Sequence, residues 1–248
     1  MNNILKKYYL FRKVAKLRLK HENLSLKFHI SNSLELEKVL KKDYETEVLN
    51  IFLDHIRPSD IIFDIGANIG LYTLPCALKA NKGLVVAFEP VPMWFNRLQS
   101  NISLNSIRNV KIYNLGLFRN NQDSKITIKN ICGSGMGSLI NNYGENINLS
   151  NRLEVNAQFI NGDTFISENM IPLPNMIKID VEGVELDVLF CLQKTINQPC
   201  CRLILVEVHP QFMKESPDKI KKFLTNSGFQ IKIIKERSNE HHILASKN

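Results

Sequence analysis

From Ile61 onward the chain repeats one rhythm. A short apolar run is followed by a stretch in which apolar positions recur every third or fourth residue. The runs are IIFDI, LVVAFE, VKIYN, MIKID and RLILVEVH, with helical patterns over 69–80, 91–104, 184–195 and 217–226. Short runs without polar alternation suit strands buried on both faces, and their alternation with helices predicts a parallel sheet covered on two sides. The close of the pattern differs. FQIKII and HHILA are separated only by residues 235–240, too few for a crossover helix, so these two strands should pair antiparallel.

Three other stretches stand apart. Upstream, LSLKFHI alternates as a strand does, and residues 43–56 read as a helix entered through acidic residues. Residues 119–160 break the rhythm with SKITIK, CGSGMGS and LEVNAQFI, read as extra strands inserted between the third and fourth core strands. Pro75 lacks the amide that would bond to Leu71, which predicts a kink or an irregular start to the first core helix.

IIFDIGANIG, residues 61–70, carries the first chemical signal. In a doubly wound sheet, ligands bind beyond the carboxyl ends of the strands. Asp64 closes this strand, and Gly66 and Gly70 flank the turn into the helix. Glycine lets the backbone approach a ligand closely. The spacing is G-x-x-x-G, without the third glycine of a diphosphate-binding turn, which argues for a nucleoside ligand. The next strand ends in Glu89, at the distance where a carboxylate accepts hydrogen bonds from ribose hydroxyls. S-adenosylmethionine fits both features. The alternative is a helix cap at Asp64 and a tight connection at the glycines.

The ordered set FDIGANIGLYT, FEPVPMWFNRLQSNISLN, IKIDVEGVELDVL and LVEVHP resembles FkbM-type S-adenosylmethionine-dependent methyltransferases over residues 45–245. The resemblance implies methyl transfer, usually to oxygen, often to a sugar hydroxyl of a polysaccharide, glycolipid or natural product. With the terminal hairpin, the expected fold is α/β of the class I methyltransferase, Rossmann-like type. Its sheet has seven mostly parallel strands, the C-terminal one antiparallel, with helices on both faces. Residues 1–42 are read as a basic accessory segment and 43–248 as the methyltransferase domain. The cofactor side is read as Asp64, Gly66, Asn68, Gly70, Glu89, Pro90, Asn114, Gly116 and Asp180. For Asn114 and Gly116, in YNLG, an ordinary turn is the alternative.

A sulfonium methyl is already activated, but a protonated sugar hydroxyl is a poor nucleophile, so a base is needed. On MIKID, Lys178 and Asp180 share a face, with Glu182 just beyond; on LILVEVHP, Glu207 and His209 share one. Charged residues rarely enter buried strands unpaired, so Lys178 is expected to pair with Asp180 or Glu207. His209, with an ordinary pKa near neutrality, is read as general base, Asp180 as contacting the methionine amino group or the acceptor, and Glu182 as orienting the acceptor. The site is read without a metal. The alternative is a divalent cation on Asp180 and Glu207 acting as a Lewis acid. CGSGMGS is read as a lid over the acceptor or a plain turn, and Trp94, Phe95 and Leu98 as core.

Composition narrows the rest. Hydrophobic content of 44% with 23% charged residues is that of a globular protein. Five cysteines, odd in number and without a CxxC, are read as reduced. No membrane-spanning run and no secretory signal is read, so a cytoplasmic enzyme is expected. The net charge of +8 is concentrated early. Lys6, Lys7, Arg12, Lys13, Lys16, Arg18 and Lys20 precede the first acid, Glu22, and read as a basic amphipathic helix. That helix either caps the domain or touches an anionic membrane through residues 1–20. The expected partner is a saccharide-like small molecule or glycan, with no nucleic acid, since no aromatic-interleaved basic strip appears. Rival readings are a protein, lipid or RNA acceptor, a nicotinamide-dependent oxidoreductase, and a silent cofactor-binding module.

Overall fold

The computed structural model describes residues 13–19, 24–30, 33–40, 44–129, 137–138, 152–213, 216–236 and 241–247. The core is a seven-stranded sheet. Its strands are β3 (Ile61–Ile65), β4 (Leu84–Phe88), β5 (Val110–Tyr113), β10 (Met176–Ile179), β11 (Leu203–Val208), β12 (Gln230–Glu236) and β13 (His241–Ser246), in the order β12-β13-β11-β10-β3-β4-β5. All pairings are parallel except those of β13, which runs antiparallel to both β11 and β12. The terminal hairpin expected from the short connection is therefore present.

Period-two alternation divides the strands between two apolar layers. Ile62, Val85, Met176, Leu203 and Leu205 face one cluster, shared with α2 (Tyr44–Asp54), α3 (Thr73–Lys79) and α4 (Pro92–Leu104). Phe63, Ile65, Val86, Phe88, Ile177, Ile179, Ile204 and Val206 face the other. That layer is completed by α5 (Gly162–Glu168), α6 (Glu185–Cys191), α7 (Gln193–Ile196) and α8 (Asp218–Asn226). Each such side chain contributes about 1.5–3 kcal/mol on burial. The polar exceptions, Asp64, Lys178 and Glu207, interrupt the first layer alone and do so near the carboxyl ends of adjacent strands, which is where the sheet opens into a cleft.

Within the segment expected to be helical, the described residues 13–19 depart from it. Val14–Arg18 is β1, paired antiparallel with β2 (Ser25–His29). Ala15, Leu17 and Leu19 are buried while Lys16 is exposed, a period of two that the density of lysine and arginine obscured. Residues 1–12 lie outside the described residues, and with them most of the segment proposed to touch a membrane. The hairpin is tied to α4 by the His29 amide donating to Asn101 Oδ1 (2.8 Å) and the Lys27 amide donating to Asn105 Oδ1 (2.8 Å). Its Leu26 and Phe28, with Leu36 and Val39 of α1 (Ser33–Leu40), join the same apolar layer as Ile62.

Two helices differ from their expected spans. α3 begins at Thr73, and Pro75 sits in its first turn, where amides have no intrahelical acceptor; the irregular start follows from that proline. The stretch 184–195 is broken into α6 and α7 at Leu192. The insertion forms its own sheet from β6 (Gly116–Leu117), β7 (Gln122–Lys129), β8 (Gly137–Ser138) and β9 (Arg152–Ile160), ordered β6-β9-β7-β8. Of the glycine-rich run, Gly137 and Ser138 form β8 and residues 132–136 lie outside the described residues. Cys76, Cys191 and Cys201 are buried thiols; burial pushes Cys191 and Cys201 up to about 12. Among the described residues, no helix is long and apolar enough to cross a membrane.

Candidate active site

A cleft of about 340 Å³ lies over the carboxyl ends of β3, β4, β10 and β11, within the size range of small-molecule sites. Its floor at one end is the loop after β3. There Gly66 (φ 75°) and Asn68 (φ 51°) hold left-handed conformations, and the amides of Gly66 and Ala67 donate to the Phe88 carbonyl at 3.0 and 3.1 Å. A Cβ on Gly66 would lie 1.9 Å from the Asp180 carbonyl oxygen, so glycine is needed because the end of β10 passes against this turn. Gly70 serves packing instead: an added Cβ would strike Leu74 and Leu98 at 2.5 and 2.7 Å.

Glu89 stands just past β4 on the cleft wall and is 3% exposed. Its carboxylate accepts the Asn68 amide at 2.7 Å and the Val91 amide at 2.9 Å. Burial raises its pKa to about 7, against the opposing pull of those two amides. Pro90 and Gly116 also line the cleft. Asn114 acts from behind, donating from Nδ2 to the carbonyls of Glu89 (2.8 Å) and Pro90 (3.1 Å). Apolar walls come from Val91, Trp94, Leu117, Ile126 and Phe159, so the insertion closes this end. Trp94, expected in the core, is a partly buried cleft residue.

Asp64 is placed under the cleft floor. It accepts the Thr73 hydroxyl at 2.5 Å and lies 3.2 Å from Lys178 Nζ. Lys178 in turn donates to the Gly66 carbonyl (3.0 Å) and lies 3.4 Å from Asp180. Burial disfavours its charge, but Asp64, Asp180 and Glu207 outweigh burial and hold it protonated, well above the ordinary lysine range. The expected pairing with Asp180 is present, with Asp64 as a second partner.

At the other end of the cleft, Asp180, Glu182, Glu207 and His209 all line the wall beside Gln211 and Phe212. The environment of His209 changes its expected chemistry. Nδ1 lies 2.9 Å from Glu185 Oε1, a fully buried carboxylate, and Nε2 lies 3.3 Å from Glu207 Oε1. Burial lowers the imidazole pKa, yet the bonds to Glu185 and Glu207 raise it more, to about 11. The premise of an ordinary histidine pKa is thus corrected: where Nε2 meets only a proton, the two carboxylates favour the imidazolium. Glu207 also lies 3.1 Å from His242 Nε2 and, despite burial, is held well below the usual carboxylate range by the two histidines. Asp180, Glu207 and His209 bring one ligand atom each to within 4.8 Å of one another.

Glu185 and His242, which contact His209 and Glu207, were not singled out by reading the motifs. Glu185 lies inside IKIDVEGVELDVL, but its inward direction depends on the turn at Gly183 (φ 96°), whose amide donates to Glu185 Oε1 at 3.1 Å. His242 opposes Glu207 only because of the register between β13 and β11.

Sheet order, the terminal antiparallel strand and the cleft at the strand ends together define a class I methyltransferase fold. Precorrin-6y C5,15-methyltransferase from Geobacter metallireducens has this fold too, superposing with a TM-score of 0.52 over 85% of this chain and 92% of that one, at 12% identity. The methyltransferase FkbM domain model matches residues 64–231, and the chain belongs to that family. It is an S-adenosylmethionine-dependent methyltransferase. Among its relatives is the hexuronic acid methyltransferase AglP of Haloferax volcanii, 26% identical over 89% of this chain and 84% of that protein. Another is Methyltransferase 1 of Beauveria bassiana, 30% identical over 53% of this chain and 58% of that protein.

The cleft's residues fit the cofactor. Glu89 offers buried carboxylate oxygens for a ribose diol. The walls of Leu117, Ile126 and Phe159 suit a flat base, and the Gly66–Asn68 turn with Asp180 suits an ammonium-bearing amino acid tail.

Proposed function

We propose that the enzyme methylates a hydroxyl of a saccharide-like acceptor during assembly of a polysaccharide, glycolipid or related glycan. The observation that carries this reading is the polar, charged far end of the cleft, where Asp180, Glu182, Glu207 and His209 converge beside Phe212. Such groups suit a hydroxylated ligand with an apolar ring face. The likeness to AglP, named for a hexuronic acid, supports a sugar acceptor.

When bound, S-adenosylmethionine supplies an electrophilic methyl group, so the protein's task is alignment and proton handling. Asp180, with about a third of its side chain exposed, is the member of the cluster placed to take the hydroxyl proton. Lys178 fixes its position from below. His209 and His242 hold Glu207 in place from two sides. Tyr72 and Phe212 flank this end and exclude water.

The test is incubation with methyl-labelled cofactor and fractionated glycans, glycolipids and nucleotide sugars, followed by mass mapping. Label that enters a saccharide and resists mild alkali marks a methyl ether and supports the reading. Label lost in mild alkali marks an ester and overturns it, since a sugar carboxyl would then be the acceptor; label confined to protein, lipid or RNA fractions overturns it as well.

A further inference from the structure

We propose that Asp180, Glu207 and His209 form a divalent-cation site that anchors the acceptor oxygen. The anchoring role rests on the reading of this end of the cleft as the acceptor site; the cation site itself rests on geometry.

The three residues come from the ends of two adjacent parallel strands and line one wall of the cleft. Their ligand atoms lie within 4.8 Å of one another. A six-coordinate cation with bonds of roughly 2.1 Å sets neighbouring ligands roughly 3 Å apart and opposite ones roughly 4.2 Å apart. The observed limit of 4.8 Å exceeds the larger of these by about 0.6 Å, a gap that small side-chain rotations can close on binding. The 3.3 Å between His209 Nε2 and Glu207 Oε1 suits two neighbouring ligands of one ion, which would take the place of the proton shared between them.

Groups outside the ligand set hold each ligand from the side away from the cleft. His209 Nδ1 is fixed by Glu185 at 2.9 Å, which directs Nε2 toward the other two ligands. Glu207 Oε2 is fixed by His242 Nε2 at 3.1 Å. Asp180 is fixed by Lys178 at 3.4 Å. A buried carboxylate behind a ligating imidazole, and outer partners on the carboxylates, are how proteins orient metal ligands. Two carboxylates and one imidazole with room for water favour Mg²⁺ or Mn²⁺ over softer ions. The remaining coordination positions face the cleft, where a hydroxyl oxygen can replace a water.

The experiment uses the full-length protein and Mn²⁺ as probe, with binding read by electron paramagnetic resonance and calorimetry. S-adenosylhomocysteine affinity is measured alongside as an independent report on the cofactor half. One Mn²⁺ per chain is expected, weakened at least tenfold by Glu207→Gln and by Asp180→Asn, and roughly 10–100-fold by His242→Asn, which touches no ion. S-adenosylhomocysteine affinity of Glu207→Gln and His242→Asn should stay close to that of the parent, which separates loss of the site from loss of folding. Absence of stoichiometric Mn²⁺ binding, or binding indifferent to Glu207→Gln and Asp180→Asn, overturns the proposal. Mn²⁺ bound as expected with no saccharide methylated would sustain the cation site and refute the acceptor assignment instead.

Discussion

Lys178 stands directly beside Asp64 in the register of two parallel strands, and its ammonium lies 3.2 Å from a carboxylate that is 1% exposed. The pair sits at the junction of the cofactor turn and the strand that carries Asp180. Its two charges depend on each other, because neither has access to bulk water.

Removing one partner therefore costs more than removing both. Lys178→Met should destabilise the fold by about 3–5 kcal/mol, the penalty for an uncompensated buried charge. Asp64→Asn combined with Lys178→Met should cost clearly less than the two single changes added together. Urea denaturation of the four proteins checks this; simple additivity would show that the pair is not coupled.

Gly66→Ala should be poorly tolerated. A left-handed conformation costs a non-glycine residue about 1–2 kcal/mol, and here the new Cβ would also meet the Asp180 carbonyl oxygen at 1.9 Å. Gly228 is the control: it too has positive φ (84°), but an added Cβ there meets only Lys247 Cε at 4.0 Å. Gly228→Ala should show the conformational cost alone. Comparable losses of melting temperature in both would contradict the close approach at Gly66.

Cofactor affinity should depend on pH through Glu89. An ionised Glu89 would accept hydrogen bonds from both ribose hydroxyls, and its pKa is raised to about 7 by burial, so affinity should rise as pH increases through about 7. Glu89→Gln should bind at least tenfold more weakly and lose that pH step. Calorimetry with S-adenosylhomocysteine in both proteins gives the comparison, and a step that persists in the variant would assign it to another group.

Alkaline stability of the protein kept free of divalent cations should report His209. Its folded pKa, about 11, lies above its ordinary value of 6.5. A raised pKa means the folded state binds the proton more tightly, so this stabilisation is complete below about 6.5 and is lost as pH climbs toward about 11. Lysines and tyrosines titrate there too, so the measurement is the difference between the parent and His209→Gln. The parent should lose more stability than the variant between neutral and alkaline pH; parallel curves would mean that Glu185 and Glu207 do not hold the imidazolium.

Much of this was legible in the sequence because burial on two faces writes itself as short apolar runs. β3, β4, β10 and β11 fall on IIFDI, LVVAFE, MIKID and RLILVEVH, and the short link before HHILA forced an antiparallel close. Glu89 was readable from its place after a strand. What escaped was set by tertiary register and by competing periods. Among lysines and arginines, Ala15 and Leu17 suited a helix as well as the strand they form. His242 faces Glu207 through pairing between strands far apart in sequence, and no local pattern marks that. Asp64 looked like a ligand-facing group because strand ends usually are, but a following Thr73 and a neighbouring Lys178 hold its carboxylate below the cleft floor.

The position of β13 sets an order of assembly. This strand follows β12 in the chain yet enters between β11 and β12, so its slot exists only once both flanking strands are made. The end of the cleft beside Glu89 also draws on Ile126, Phe159 and Asp180, so it too depends on residues made after 117. Glu207 gains His242 as a partner only when that slot is filled, so the charged end of the cleft is completed by a strand that enters after both of its neighbours.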